Sequence, residues 1–124
     1  MAATLYERLG AAHGIARLVD DIVERHLQNP AIRARFLPYR DEPERLATVK
    51  GHLRAFLTAG SGGPGEYAGR SMPAAHRGMN ISEAEYVAAL DDILKALDAL
   101  RIDPETRKEV LAIAYSLKDE IMHQ

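Results

Sequence analysis

Ser71-Met72-Pro73-Ala74-Ala75-His76-Arg77-Gly78-Met79-Asn80-Ile81 is the stretch around which this chain is organised. It reads as a one-turn helix with a start, a stop and one histidine between them. Pro73 suits a first helical position, because the amide it lacks would have had no partner there. Gly78 suits the left-handed residue just past the end. His76 is therefore carried on a short element pinned at both ends. A lone histidine on an apolar element is ordinarily a satisfied core residue, so its meaning rests on what flanks it.

Outward from this stretch the chain is helical. On the C-terminal side, Ser82 and Glu85 have capping-box spacing and open a helix in which Tyr86, Val87, Leu90, Ile93, Leu94 and Leu97 keep helical period to about Leu100. Asp103 and Pro104 begin a last helix that carries Val110, Ile113, Ala114, Leu117 and Ile121 inward. On the N-terminal side, Gly60-Ser61-Gly62-Gly63-Pro64-Gly65 matches G-x-G-x-x-G literally. It follows a helix instead of a strand, so it reads as a mobile glycine-rich connection and not as a dinucleotide loop. The helix before it, with Leu46, Val49, Leu53, Phe56 and Leu57 on one face, is expected to start at a capping box of Asp41 and Glu44 with Pro43 in the first turn.

A short helix is expected from Pro30 to about Phe36, with Tyr39-Arg40-Asp41-Glu42 as linker. Before it, Ile15, Leu18, Val19, Ile22, Val23 and Leu27 recur at three- and four-residue steps along one helix face, which Pro30 ends. Thr4 to Leu9 forms a small opening helix closed by Gly10. No stretch reads as a strand and there is no internal repeat. Three long amphipathic helices and one medium one predict a compact all-α fold, a single domain spanning residues 1–124.

Composition excludes several classes. A chain of 124 residues buries roughly two-thirds of its unfolded surface, enough for a core. Sixteen basic against eighteen acidic residues, without blocks of one sign, give no footprint for nucleic acid or a lipid surface. With no cysteine there is no disulfide framework and no thiolate site. No run approaches the about eighteen apolar residues of a membrane span. The expectation is a soluble cytoplasmic protein.

Tyr67-Ala68-Gly69-Arg70-Ser71-Met72, then Ala75-His76-Arg77-Gly78 and Ile81, resembles the proximal segment of the group I truncated haemoglobins. Leu5-Tyr6-Glu7-Arg8-Leu9-Gly10 is similar to their N-terminal signature. Ala55-Phe56-Leu57-Thr58 with Gly62-Gly63-Pro64 is similar to the end of their distal helix and the glycines after it. The resemblance runs from about Leu5 to Ile121 in one register. It implies the truncated globin two-over-two helical sandwich. It also implies haem b (iron protoporphyrin IX) with His76 as proximal iron ligand, and O2, NO or CO as ligands. The second nitrogen of His76 is expected to donate to a backbone carbonyl of its own short helix. By the same register Phe36 lies against the porphyrin and Met72, Tyr86, Val87, Leu90 and Leu117 line the slot. Lys50, Arg70 or Arg77 would meet the propionates.

The distal side departs from the pattern. Where many members place a tyrosine and glutamines, this chain has Val23, Val49 and Leu53. All three are apolar, which weakens the case for oxygen transport, and for nitric oxide dioxygenase or redox activity fed by a reductase. His52, one residue before Leu53, matches a histidine that in some relatives becomes the sixth iron ligand. His26, one turn beyond Val23, reads as a half-buried core or surface residue, and His13 and His123 as solvated. Two rival classes remain. A non-haem helical interaction module would leave His76 unexplained. A di-iron carboxylate bundle needs two Glu-x-x-His motifs, and the chain offers one, Glu120 to His123.

Overall fold

A computed structural model describes residues 3–65, 67, 69 and 71–124. The element that organises the interior is α2 (Ala11–Gln28), which follows α1 (Leu5–Arg8). Ile15, Leu18, Val19, Ile22, Val23, His26 and Leu27 of α2 are all buried, the stripe that their three- and four-residue spacing dictates. Each such aliphatic side chain taken out of water contributes about 1.5–3 kcal/mol. α2 packs on α4 (Pro43–Gly60) and on α6 (Glu83–Ala99), and α6 packs on α7 (Pro104–Ser116). The helical pairs α2/α4 and α6/α7 are the two layers of a two-over-two sandwich. Leu9, Ala96, Leu97 and Val110 complete its core around α2.

Local rules set most boundaries. At α1 the Thr4 hydroxyl accepts from the Glu7 amide while the Glu7 side chain reaches back to the Thr4 amide. At α6 Ser82 and Glu85 form the expected reciprocal pair, and at α7 Asp103 accepts from the Thr106 amide. Among the described residues the one strand-like feature is an isolated parallel bridge between Ile81 and Met122.

Four boundaries differ from expectation, each for a local reason. The short third helix, α3, spans Arg33–Arg40 instead of starting at Pro30. The Asn29 carbonyl accepts from both Ile32 and Arg33 amides, at 3.1 and 2.7 Å, and its side-chain oxygen takes the Ala31 amide at 3.0 Å, so a turn occupies those residues. α3 also runs past Phe36 to Arg40, so Tyr39 and Arg40, expected in the linker, are helical, and Asp41 is the C-cap of α3 and does not cap α4. The N-cap of α4 is Glu42, whose carboxylate is taken by Arg45 at 3.1 Å and makes no capping bond. The last helix breaks at Leu117, where the Ser116 hydroxyl bonds back to the Ile113 carbonyl at 2.6 Å, and a separate turn of helix, α8 (Lys118–Ile121), follows.

The glycine-rich connection is tied down where it leaves α4. The Tyr6 amide donates to the Ser61 carbonyl at 2.9 Å and the Gly63 amide to the Thr58 carbonyl at 2.8 Å. Gly63 is needed there because a Cβ would lie 2.5 and 2.6 Å from carbons of the Tyr6 ring.

Candidate functional site

The short helix around the histidine, α5, spans Met72–His76. Its N-cap is Ser71, whose hydroxyl accepts from the Ala74 amide at 3.3 Å; Met72 takes the first helical position expected for Pro73, which stands second, where its missing amide is equally without an intrahelical partner. Gly78 adopts φ 84°, the left-handed conformation expected just past the end. His76 Nδ1 lies 2.8 Å from the carbonyl oxygen of Met72, one turn earlier. A carbonyl only accepts, so Nδ1 carries the hydrogen and the Nε2 lone pair is left available for a metal. This is the backbone bond expected of a fixed imidazole.

The segment after the histidine is held by the C-terminal residues. The Gly78 and Asn80 amides donate to the carbonyl oxygen of Gln124 at 3.1 and 3.0 Å, and the His123 amide donates to the Ile81 carbonyl at 3.0 Å. α5 itself packs on α8. His76 thus sits on a short helix braced from outside.

Burial shows where an apolar group would fit. α2 and α4 each have eighteen residues, yet α2 buries seven side chains and α4 buries none. α4 packs on α2 and α3, while α5 packs on α8. Val49 and Leu53 on α4, Met72 on α5 and Leu117 after α7 are all half-buried, and Val87 on α6 is 48% exposed. These positions are more open than the α2 core, and a flat apolar cofactor would cover apolar side chains of this kind. The free Nε2 lone pair of His76 is the kind of donor that haem iron takes, so the residues present suit a porphyrin.

The other expected site residues fall as follows. Tyr86 and Leu90 are buried at 7% exposure each, and the Tyr86 hydroxyl of α6 donates to the Ala114 carbonyl of α7. Burial raises the Tyr86 pKa, keeping that hydroxyl a donor. Val23 is 1% exposed and lies in the α2 core. Phe36 is half-buried on α3, with its ring centroid 5.1 Å from that of His26. Lys50 pairs with Asp20 at 3.2 Å, Arg77 is exposed, and Arg70 lies outside the described residues. His52 is exposed on α4.

One group escaped the sequence reading. His26 is buried at 8% exposure, with Nδ1 2.7 Å from Oδ2 of the equally buried Asp92. The available signal was Asp92 itself, a carboxylate four residues before the fully buried Ala96 on α6. Among the described residues no three His, Cys, Asp or Glu side chains gather as a metal site, and Glu120 and His123 are both exposed. No described helix is long and apolar enough to cross a membrane.

Comparison with known proteins agrees with this architecture. The profile of the bacterial-like globins matches residues 4–123. A group 1 truncated hemoglobin of Synechocystis sp. is 31% identical over 116 residues, covering 90% of each chain. One from Tetrahymena pyriformis is 26% identical over 94% of this chain and 93% of its own. Among solved structures, the Fe(III) form of the Tetrahymena pyriformis truncated hemoglobin superposes with a TM-score of 0.86 at 22% identity, over 98% of this chain and 100% of that one. The 2/2 hemoglobin of Synechococcus sp., solved in a cyanomet state with covalently attached heme, gives a TM-score of 0.86 at 25% identity, over 97% and 98%.

Proposed function

Because this chain belongs to the group 1 truncated haemoglobins, within the bacterial-like globin family, we propose that His76 binds the iron of haem b through Nε2 and that the protein binds small diatomic ligands on the opposite side. The observation that carries the proposal is the Nδ1 bond of His76 to the Met72 carbonyl, which fixes the tautomer and the ring plane that iron ligation needs. When bound, haem supplies an iron centre that takes O2, NO or CO. The chain's own part is to hold and shield that centre. Met72, Val87 and Leu117 exclude water on the side of His76, and Val49 and Leu53 on the side of α4. Lys50, Arg70 or Arg77 are the proposed propionate partners, with Lys50 paired to the exposed Asp20 at 3.2 Å.

On the distal side Val23, Val49 and Leu53 offer no hydrogen-bond donor. A hydrogen bond to a ligand of partial negative charge contributes about 1.5–3 kcal/mol, so its loss weakens O2 retention by roughly ten- to a hundredfold. This disfavours oxygen transport, and nitric oxide dioxygenase turnover fed by a reductase. We assign the sixth position to His52. His52 is exposed on α4, so this assignment requires a shift of α4 that brings His52 inward.

The test is the absorption spectrum and haem stoichiometry of the purified protein beside those of His76→Ala. Wild type should carry one haem per chain, and the variant should lose it or recover it with added imidazole. A His76→Ala protein with wild-type spectrum and affinity would overturn the assignment.

A further inference from the structure

α5 cannot hold its own position. A helix of five residues is too short to be stable alone, and this one buries no side chain. It packs on α8, so the place of His76 in the fold is set in large part by residues 118–124. These are anchored in turn. Lys118 Nζ of α8 lies 3.2 Å from the Glu83 carboxylate at the start of α6, and the Gln124 side chain folds back to the Asp119 carbonyl at 3.3 Å. From that anchor the Gln124 carbonyl oxygen accepts from the Gly78 and Asn80 amides, and the His123 amide donates to the Ile81 carbonyl. The Met79 amide closes the enclosed turn on the His76 carbonyl at 3.1 Å. Ile81 then leads directly into Ser82, the N-cap of α6, so the ring of contacts is complete.

Both sides of this junction carry backbone strain. Asn80 adopts φ 46° and His123 φ 59°, left-handed conformations that residues other than glycine take rarely. Such strain persists only where surrounding contacts over-determine it, and it clusters at functional sites. The His123 side chain is exposed, so its amide and its bend, and not its imidazole, make the contact. We propose that residues 122–124 are a positioning strap for the iron ligand: by clamping the turn from His76 to Ile81 they set how His76 Nε2 is presented to haem iron. The inference rests on the haem reading above and adds a positioning element to it. The strap acts through backbone hydrogen bonds, without touching the cofactor.

The test compares the full chain with His123→Pro, His123→Ala and His123→Gly. Proline lacks the amide that binds Ile81 and cannot adopt a positive φ, so it breaks the strap. Alanine removes the imidazole alone, and glycine keeps the amide and takes the left-handed bend freely. In the apoprotein, hydrogen exchange at the Gly78 and Asn80 amides should quicken at least about tenfold in His123→Pro and in neither other variant. With haem bound, His123→Pro should shift the iron–histidine stretching band of the carbon monoxide photoproduct, a signature that a general loss of stability would not move. It should also release haem to excess apomyoglobin about tenfold faster, as expected if the ligating geometry is populated about one-tenth of the time. His123→Ala and His123→Gly should match wild type in both. If His123→Pro does not fold, Asn80→Pro, which removes a donor from the other side of the same contact, takes its place with Asn80→Gly as its control. An unmoved stretching band with unchanged release, or equal effects of proline and alanine, would overturn the inference and leave the haem reading intact. A wild-type protein that takes up no haem would overturn both.

Discussion

Glu85 joins two functions in one side chain. It completes the capping box of α6 with Ser82, and it accepts from the Arg35 guanidinium of α3 through both oxygens. The Arg35 hydrogen bond is the largest cause of a carboxyl pKa lowered to about 2 from an ordinary 4.5. A group depressed in the folded state stabilises it above the unfolded pKa, and that contribution is lost as pH falls through the folded one. The interval corresponds to about 3 kcal/mol as an upper limit. Solvent screens the pair, since the two side chains are 29% and 23% exposed, so about 1 kcal/mol is the expected yield. The assay is urea unfolding of wild type and Glu85→Gln at intervals from pH 7 to pH 2. Subtracting the two curves removes the acid response of the rest of the molecule. The difference should be about 1 kcal/mol above pH 5 and should close between about pH 4.5 and 2. A difference that stays constant across the range would show that Glu85 acts through shape and neutral hydrogen bonding alone.

Three further outcomes are expected. Gly63→Ala drives a methyl into the Tyr6 ring, 2.5 Å from its nearest carbon, and should cost about 1–3 kcal/mol, less in a Tyr6→Leu background; equal costs in both would refute the contact. Haem removal should lower the melting temperature markedly, since a ligand at a thousandfold excess over Kd contributes about 4 kcal/mol, and amide exchange should rise first around residues 72–81; equal melting of both forms would count against a cofactor-built core. With His52 at the sixth position, carbon monoxide binding to wild type should be slow or biphasic, and His52→Ala should bind in one phase at least about tenfold faster; an unchanged rate and spectrum would leave His52 a solvated residue of α4.

What could be read from residues alone follows from the range of each interaction. The caps at Ser82 and Asp103 were legible because both partners lie within one turn. The stripe of α2 was legible because helical period fixes which residues share a face. The Asp41 cap failed because Glu42 takes the N-cap position and Arg45 takes the Glu42 carboxylate, and nothing in S/T/D-x-x-E spacing registers that competition. The helix expected to run unbroken to Ile121 failed because the Ser116 hydroxyl captures a carbonyl within its own turn. The His26–Asp92 pair lies further out of reach, because its partners are 66 residues apart and only the crossing of α2 over α6 brings them together.

The same limit applies to α4. Leu46, Val49, Leu53, Phe56 and Leu57 also fall along one face of α4, though its apolar and polar residues are less sharply segregated than those of α2. The structure gives seven buried side chains on one and none on the other. Period reports which face is apolar; what covers that face is set by the element opposite. Opposite α2 stands α6, a helix of this chain. Opposite the open part of α4, in the proposed reading, stands a porphyrin, which no residue pattern on α4 could announce. In that reading its trace lies instead in a five-residue helix whose cap, proline, left-handed glycine and backbone-bound imidazole together fix one ring.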